Sequence, residues 1–202
     1  MRLNEDTKII GNSVILVPYM QKHVPKYHAW MQSEDLRKLT ASEPLTLEEE
    51  YAMQRSWLLD EDKCTFIILD KEIFTNTNNE VTSMIGDTNL FFESSNSRLC
   101  AEAEIMIAED SSRGKKKGWE AMLHMLLYGI KYIHVKQFVV KISTSNKISI
   151  NMFLKMDFIQ TNISEIFDEV TLEKIVDAKW IEWIETQLPV HEVMNDYLDG
   201  DI

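Results

Sequence analysis

A mixed α/β (α+β) domain is the fold class this sequence predicts, on three observations. Short β-branched runs alternate with longer stretches whose apolar residues recur at helical spacing. Their order is strand, two helices, three strands, helix, strand, helix and further strands, which suits neither a sandwich nor a bundle. No stretch is rich enough in Pro, Gly or Ser to divide the chain, and no internal repeat is visible. The 202 residues therefore read as one domain over 1–190, with an acidic, flexible tail over 191–202.

Ser13 to Pro18 is short and β-branched, a first strand. Val24, Tyr27, His28 and Met31 then mark a short amphipathic helix over 23–32. Thr46-Leu47-Glu48-Glu49 has the form of a capping box and opens a second helix toward Leu59. Residues 65–69, 84–92 and 103–108 read as strands. Polar loops at Thr75–Asn79 and Glu93–Arg98 would join them as hairpins. Trp119, Met122, Leu123, Leu126, Leu127 and Ile130 form a core-facing stripe on a helix from Gly118 to about Tyr132. Strand 138–142, helix 146–156 and a strand from Phe158 follow. A further alternating segment over 166–174 has Ile166, Val170 and Leu172 as its buried side. The last helix runs from about Asp177 to Leu188.

Composition narrows the function. Hydrophobic residues make up 45% and charged residues 27%, the balance of a globular domain with a real core. A formal net charge of −12 argues against a dedicated binder of nucleic acid or anionic membrane. Cys64 and Cys100, both in apolar runs, form neither a disulfide framework nor a metal-ligand spacing, so no metal is expected and both thiols should be buried. The N-terminal stretch lacks the apolar segment of a secretory signal, and the expectation is a cytoplasmic protein, monomeric and without membrane contact.

The densest constellation joins the strand Ile105-Met106-Ile107 to the helix at Gly118 through Arg113-Gly114-Lys115-Lys116-Lys117. A glycine-containing loop entering a helix exposes unpaired N–H groups at the positive helix end, where phosphate oxygens are natural ligands. Four cations in an acidic protein strengthen that reading; a solvated basic turn is the plain alternative. The spacing fits neither the P-loop nor the dinucleotide fingerprint.

The loop resembles the R-x-x-G-x-G/A turn of the GNAT N-acetyltransferases, with Arg113 and Gly118 at its outer positions and Lys116 in place of the middle glycine. Asn146 to Phe158 is similar to that superfamily's N-x-x-S-x-x-x-[FY]-x-K-x-G-F segment, with Asp157 at the glycine position. Val17-Pro18-Tyr19, His23-Val24-Pro25, Leu39 to Glu48, Ala103 to Glu109 and Glu169 to Leu172 extend the resemblance to the eukaryotic N-acetyltransferase 9 family.

That resemblance implies a central mixed, mostly antiparallel sheet flanked by helices, with a core at about 34–176. It also implies acetyl-CoA as co-substrate, gripped by Ile105, Met106, Ile107, Arg113, Gly114, Lys115, Lys116, Lys117, Gly118, Asn146, Ser149 and Phe153. The implied substrate is a protein N-terminal amine, that of α- and β-tubulin, with an effect on microtubule stability.

Glu102 and Glu104 stand two apart on one strand and so share a face. Either could accept the ammonium proton, with Glu104 nearer the expected carbonyl position; a solvent-facing strand edge is the alternative. Phe153 holds the position of the superfamily's thiolate-protonating tyrosine and has no proton to give. Lys116 in a left-handed conformation would cost about 1–2 kcal/mol, roughly tenfold in affinity, so acetyl-CoA binding is expected to be weakened but to survive. Two other readings remain open at this point: a non-catalytic protein of the same fold that binds tubulin or another partner, and an acetyltransferase for lysine or small-molecule amines.

Overall fold

The computed structural model describes residues 2–92 and 99–197. The elements run β1 (Lys8–Ile10), β2 (Val14–Pro18), α1 (Val24–Met31), α2 (Glu34–Leu39), α3 (Leu47–Leu59), β3 (Lys63–Asp70), α4 (Lys71–Thr77) and α5 (Glu80–Ser83). Then come β4 (Met84–Phe91), β5 (Cys100–Ile107), α6 (Lys117–Tyr128), β6 (Gln137–Ser143) and α7 (Lys147–Lys155). The chain continues through β7 (Ile159–Ser164), β8 (Glu169–Ile175), α8 (Ala178–Gln187) and β9 (Glu192–Met194).

All nine strands join one sheet in the order β7-β8-β6-β5-β4-β3-β2-β1-β9. Every neighbouring pair is antiparallel except β5 and β6. That parallel pairing spans three residues, Cys100↔Gln137 to Glu102↔Val139, and then stops. From Ala103 to Ile107, β5 has a partner on one side only, and the sheet opens there.

Helices cover both faces. On one, α6 buries every residue from Ala121 to Tyr128 against Phe66, Leu90 and Phe138, with Trp180 and Ile184 of α8 in the same cluster. On the other, Tyr27, Trp30 and Met31 of α1 pack with Tyr19, Ile67 and Leu69. Each fully buried Leu or Met contributes about 1.5–3 kcal/mol. That exceeds the strain carried by the first turn of α6, so the helix is held by its core end and its N-terminus is left for other work. A π-helical turn, Gly129–Ile133, closes α6 where an unbroken helix to Tyr132 was expected.

Several expectations need correction. The polar stretch Thr75–Asn79 is not a hairpin loop. Asp70 caps α4 by accepting from the amides of Glu72 and Ile73, and Asn78 ends it in the left-handed region at φ 48°. Asn79 then caps α5 through the Thr82 amide. Ile166 is 89% exposed rather than buried, because the turn before β8 runs through it. Cys100 is exposed at the start of β5, while Cys64 is buried.

The tail expected from residue 191 is not loose up to Tyr197. β9 pairs with β1 through Ile9↔Val193, and the Tyr197 amide donates to the Asp6 carbonyl at 2.9 Å. Tyr197 itself is buried. The loop at Glu93–Arg98 and residues 198–202 lie outside the described residues.

Candidate active site

The opening between β5 and β6 is bordered by the two helix N-termini that the loop and the Asn146 segment create. At α6, Lys116 is the N-cap residue at φ 61°, ψ 8°, left-handed, with no side-chain cap. Its carbonyl accepts the amide of Glu120 at 3.0 Å, so the N–H groups of residues 117–119 have no intrahelical partner. Gly114 also lies in the left-handed region, at φ +70°.

Gly118 meets a different demand. A Cβ there would sit 3.1 Å from Ile107 Cγ1, so glycine lets the first turn of α6 lie against β5. At α7, the Asn146 side chain accepts the Ser149 amide at 3.1 Å, a polar cap beside the groove.

A cavity of about 850 Å³ runs between these termini, within the range of small-molecule sites. Of the residues that the resemblance singles out, Ile105, Met106, Ile107, Arg113, Gly114, Lys116, Lys117, Gly118, Asn146 and Ser149 line it. Three predicted residues are placed differently. Lys115 is exposed and outside the lining. Phe153 is buried, edge-to-face on Phe158 at 5.1 Å, and borders the neighbouring cavity. The Lys117 ammonium turns away to an ion pair with Asp70 at the end of β3, both side chains nearly buried, so Lys117 offers the groove its backbone amide.

Arg113 folds back on the strand end. Its Nε donates to the Ile107 carbonyl at 2.8 Å, one terminal nitrogen to the Ala108 carbonyl at 3.2 Å, and the other pairs with Asp110. The guanidinium thus fixes the loop that carries the free amides. Asp157 departs from the glycine of the resembling segment yet adopts φ 68°, and its carboxylate pairs with Lys174. Both departures from glycine therefore keep the left-handed backbone that glycine would supply.

A second cavity, about 690 Å³, opens on the sheet face that carries α1 and α3. It shares Leu39, Thr40, Ile105, Met106, Asn146 and Ser149 with the first, so the two meet across the opening between β5 and β6. Its floor is acidic: Glu102 and Glu104 of β5, with Asp87 and Asn89 of β4 across from them. Glu102 is paired with Lys141 at 2.6 Å. Among the described residues the Glu104 carboxylate is in neither a side-chain hydrogen bond nor an ion pair. The walls of the cleft, followed by the charges of Asp87 and Glu102, push it up to about 7, against partial relief from Lys63 and Lys141. Its side chain remains open to water inside the cleft.

Asp87 is the residue that sequence reasoning missed. It is 2% exposed, and burial raises it to about 6 despite the Asn89 amide donating to Oδ2 at 2.8 Å. A polar alternation, Asp87 then Asn89, inside an apolar strand was the available signal. Trp57 of α3 lines this cavity with Tyr27 and Phe91. His124 of α6 is fully buried and stacked on His191 with ring centroids 5.0 Å apart, and lines neither cavity.

A sheet opened between two helix N-termini, with an amide-lined groove on one side and an acidic cleft on the other, defines an acyltransferase for amines. Residues 13–159 match the family model described as "Acetyltransferase (GNAT) domain". Alpha/beta-tubulin-N-acetyltransferase 9 of Drosophila melanogaster is 53% identical over 192 residues, covering 93% of this chain and 96% of that protein. The protein of that name from Homo sapiens is 48% identical over 203 residues, covering 99% and 98%. The chain belongs to the GNAT acetyltransferases, in the N-acetyltransferase 9 family, and is an N-acetyltransferase.

Solved structures share the fold. Spermidine N-acetyltransferase from Vibrio cholerae in complex with CoA and spermine superposes with a TM-score of 0.70 at 14% identity, covering 88% of this chain and 99% of that one. The ribosomal L7/L12 alpha-N-protein acetyltransferase RimL gives 0.68 at 14% identity, covering 84% and 95%. Among the described residues, no helix is long and apolar enough to cross a membrane, and no group of three metal-ligating side chains occurs.

Proposed function

We propose that this protein transfers the acetyl group of acetyl-CoA to the α-amino group of a protein N-terminus, with α- and β-tubulin as substrates and microtubule stability as the property affected. The tubulin assignment rests on the name carried by its relatives in fly and human. A cytoplasmic site of action follows from that substrate.

The carrying observation is the meeting of two cavities of opposite character at the opening beside β5. The residues present fit the donor. Free amides at residues 117–119 and the positive end of α6 suit a pyrophosphate, with Lys116 at the groove wall. The β5 backbone from Ala103 to Ile107, unpaired toward β6, suits the amide-bearing arm. Acetyl-CoA supplies the activated acetyl thioester there.

The acceptor side follows from charge. An α-ammonium is drawn to a cleft floored by Glu102, Glu104 and Asp87 and cannot attack until it loses a proton. Glu104 is the group to take it: a carboxylate in neither a hydrogen bond nor an ion pair, with a proton affinity close to that needed at neutral pH. Glu102, tied to Lys141, contributes negative charge rather than a free base. The neutral amine would then form the new C–N bond as the C–S bond breaks, and the second proton, shed by the acylated nitrogen, would pass to the departing thiolate to give the free thiol. The thiolate leaves without help from Phe153, whose buried ring has no proton.

The test uses labelled acetyl-CoA with three acceptors: peptides of tubulin N-termini, the same peptides blocked at the α-amine, and free lysine-bearing peptides. Turnover on the first alone is expected. Equal labelling of blocked peptides would transfer the reading to lysine, and binding without turnover would leave a scaffold of the same fold.

A further inference from the structure

We propose that Asp87 is a positioning residue for acetyl transfer, its buried negative charge on the strand beside Glu104 keeping that carboxyl a competent proton acceptor at neutral pH. The inference deepens the acetyl-transfer reading and rests on it for the role of Glu104.

The register sets the geometry. Glu104 stands directly opposite Asn89, and Asp87 lies two residues along on the same face of β4. Diagonal positions of this kind are about 7–8 Å apart at the backbone and closer at the side chains. Asn89 ties Asp87 to Thr65 of β3: its side-chain nitrogen donates to Asp87 Oδ2 at 2.8 Å, and its Oδ1 accepts from the Thr65 hydroxyl at 2.6 Å, so its orientation is fixed. Asp87 Oδ1 is buried and makes no close hydrogen bond among the described residues, and the Tyr27 hydroxyl beside the carboxylate gives only partial relief from burial. A buried carboxylate beside a second one at the mouth of the cleft raises the proton affinity of both.

The other charged and titratable groups around Glu104 sort by sign. Glu102 on β5 adds to the effect of Asp87 but is neutralised by Lys141 of β6. Lys63 on β3 opposes it. That ammonium lies 3.7 Å from the ring centroid of Trp57 and 4.6 Å from that of Phe91, clamped between two aromatic faces. Tyr27 of α1, Lys38 of α2, and Asp168 and Glu169 at the entry to β8 also line the cleft, Tyr27 neutral because burial drives its hydroxyl far above the ordinary range. One fixed anion and one fixed cation thus bracket the base, and removing each must move it in opposite directions.

The experiment is a carbon-13 NMR titration of side-chain carboxyls in the cofactor-free protein, followed by the pH dependence of kcat/KM for an N-terminal peptide. Asp87→Asn should lower the Glu104 midpoint by about one pH unit, and Lys63→Met should raise it by about half a unit. The acid limb of kcat/KM should move with each. In the wild type, the Asp87 and Glu104 curves should each bend where the other ionises, a reading that needs no variant and survives any folding defect in Asp87→Asn. A Glu104 midpoint unmoved or raised by Asp87→Asn, or two independent wild-type curves, overturns the inference. Full activity in Glu104→Gln instead overturns the underlying assignment of the base, whatever the titrations show.

Discussion

Replacing Lys116 by glycine separates two effects that the native lysine combines. At φ 61° the lysine backbone is strained by about 1–2 kcal/mol, and because this turn is already formed without cofactor, the cost falls on folding and not, as the sequence suggested, on CoA affinity. Glycine removes that strain but loses some of the gain to its own chain entropy, about 0.5–1 kcal/mol. The net is a stabilisation of roughly 0.5–1 kcal/mol, or about 1–4 °C in Tm for a chain of this size. The ammonium at the groove wall is lost at the same time. A solvent-exposed contact of lysine with phosphate is worth about 1 kcal/mol, so CoA affinity should fall about fivefold. Lys116→Ala loses the ammonium and keeps the strain, so it should bind CoA as weakly as Lys116→Gly without the gain in Tm. Calorimetric titration with CoA and thermal unfolding of all three proteins provide the comparison. Tighter CoA binding by Lys116→Gly, or equal Tm in the two variants, would refute the reasoning.

Other expectations follow from the same geometry. Glu104→Gln should lower kcat by about 10²- to 10⁴-fold with little change in CoA affinity, checked by steady-state kinetics beside calorimetry. Activity of the wild type should rise with pH through about 7, because Glu104 must be deprotonated to accept the ammonium proton. Asp70→Asn leaves the Lys117 ammonium buried and unpaired and should cost about 3–5 kcal/mol in denaturant unfolding. Pairing that change with Lys117→Met should recover most of the loss. Glu80 and Glu120 are both held down to about 2, Glu80 by His23 and Lys22 against its burial, Glu120 by His124 and Ser13. The unfolded chain therefore takes up more protons as pH falls from about 4.5 toward 2, and stability should drop across that window in a urea midpoint series.

Much of this was legible because local signals and the fold agree. The stripe from Trp119 to Ile130 lies on a helix whose core end is wholly buried. The capping box at Thr46 forms as written, Glu49 accepting the Thr46 amide at 2.8 Å and Thr46 accepting the Glu49 amide. The basic loop does border a groove, and Lys116 does take the left-handed conformation of the glycine it replaces.

What was not legible depends on partners distant in sequence. Asp70 withdraws the Lys117 ammonium from the groove across 47 positions, and nothing near Lys117 announces it. Asp87 reads as part of a polar Asp87-Thr88-Asn89 stretch in β4 until β5 is laid beside it and Glu104 comes opposite Asn89. His124 sits at a position whose neighbours are apolar, but its partner, His191, belongs to a segment read as tail. β1 and β9 are three residues each, too short for periodicity to reveal, and hold only because each is paired.

The most direct trial of the donor site is an amide NMR titration with CoA. The backbone signals of residues 117–119 should shift first and furthest, those of Ile105 to Ile107 should follow, and Asp87 and Asn89 should stay in place. A saturating dose that leaves 117–119 unmoved would mean that this helix end grips no diphosphate, and the account of acetyl transfer would fall with it.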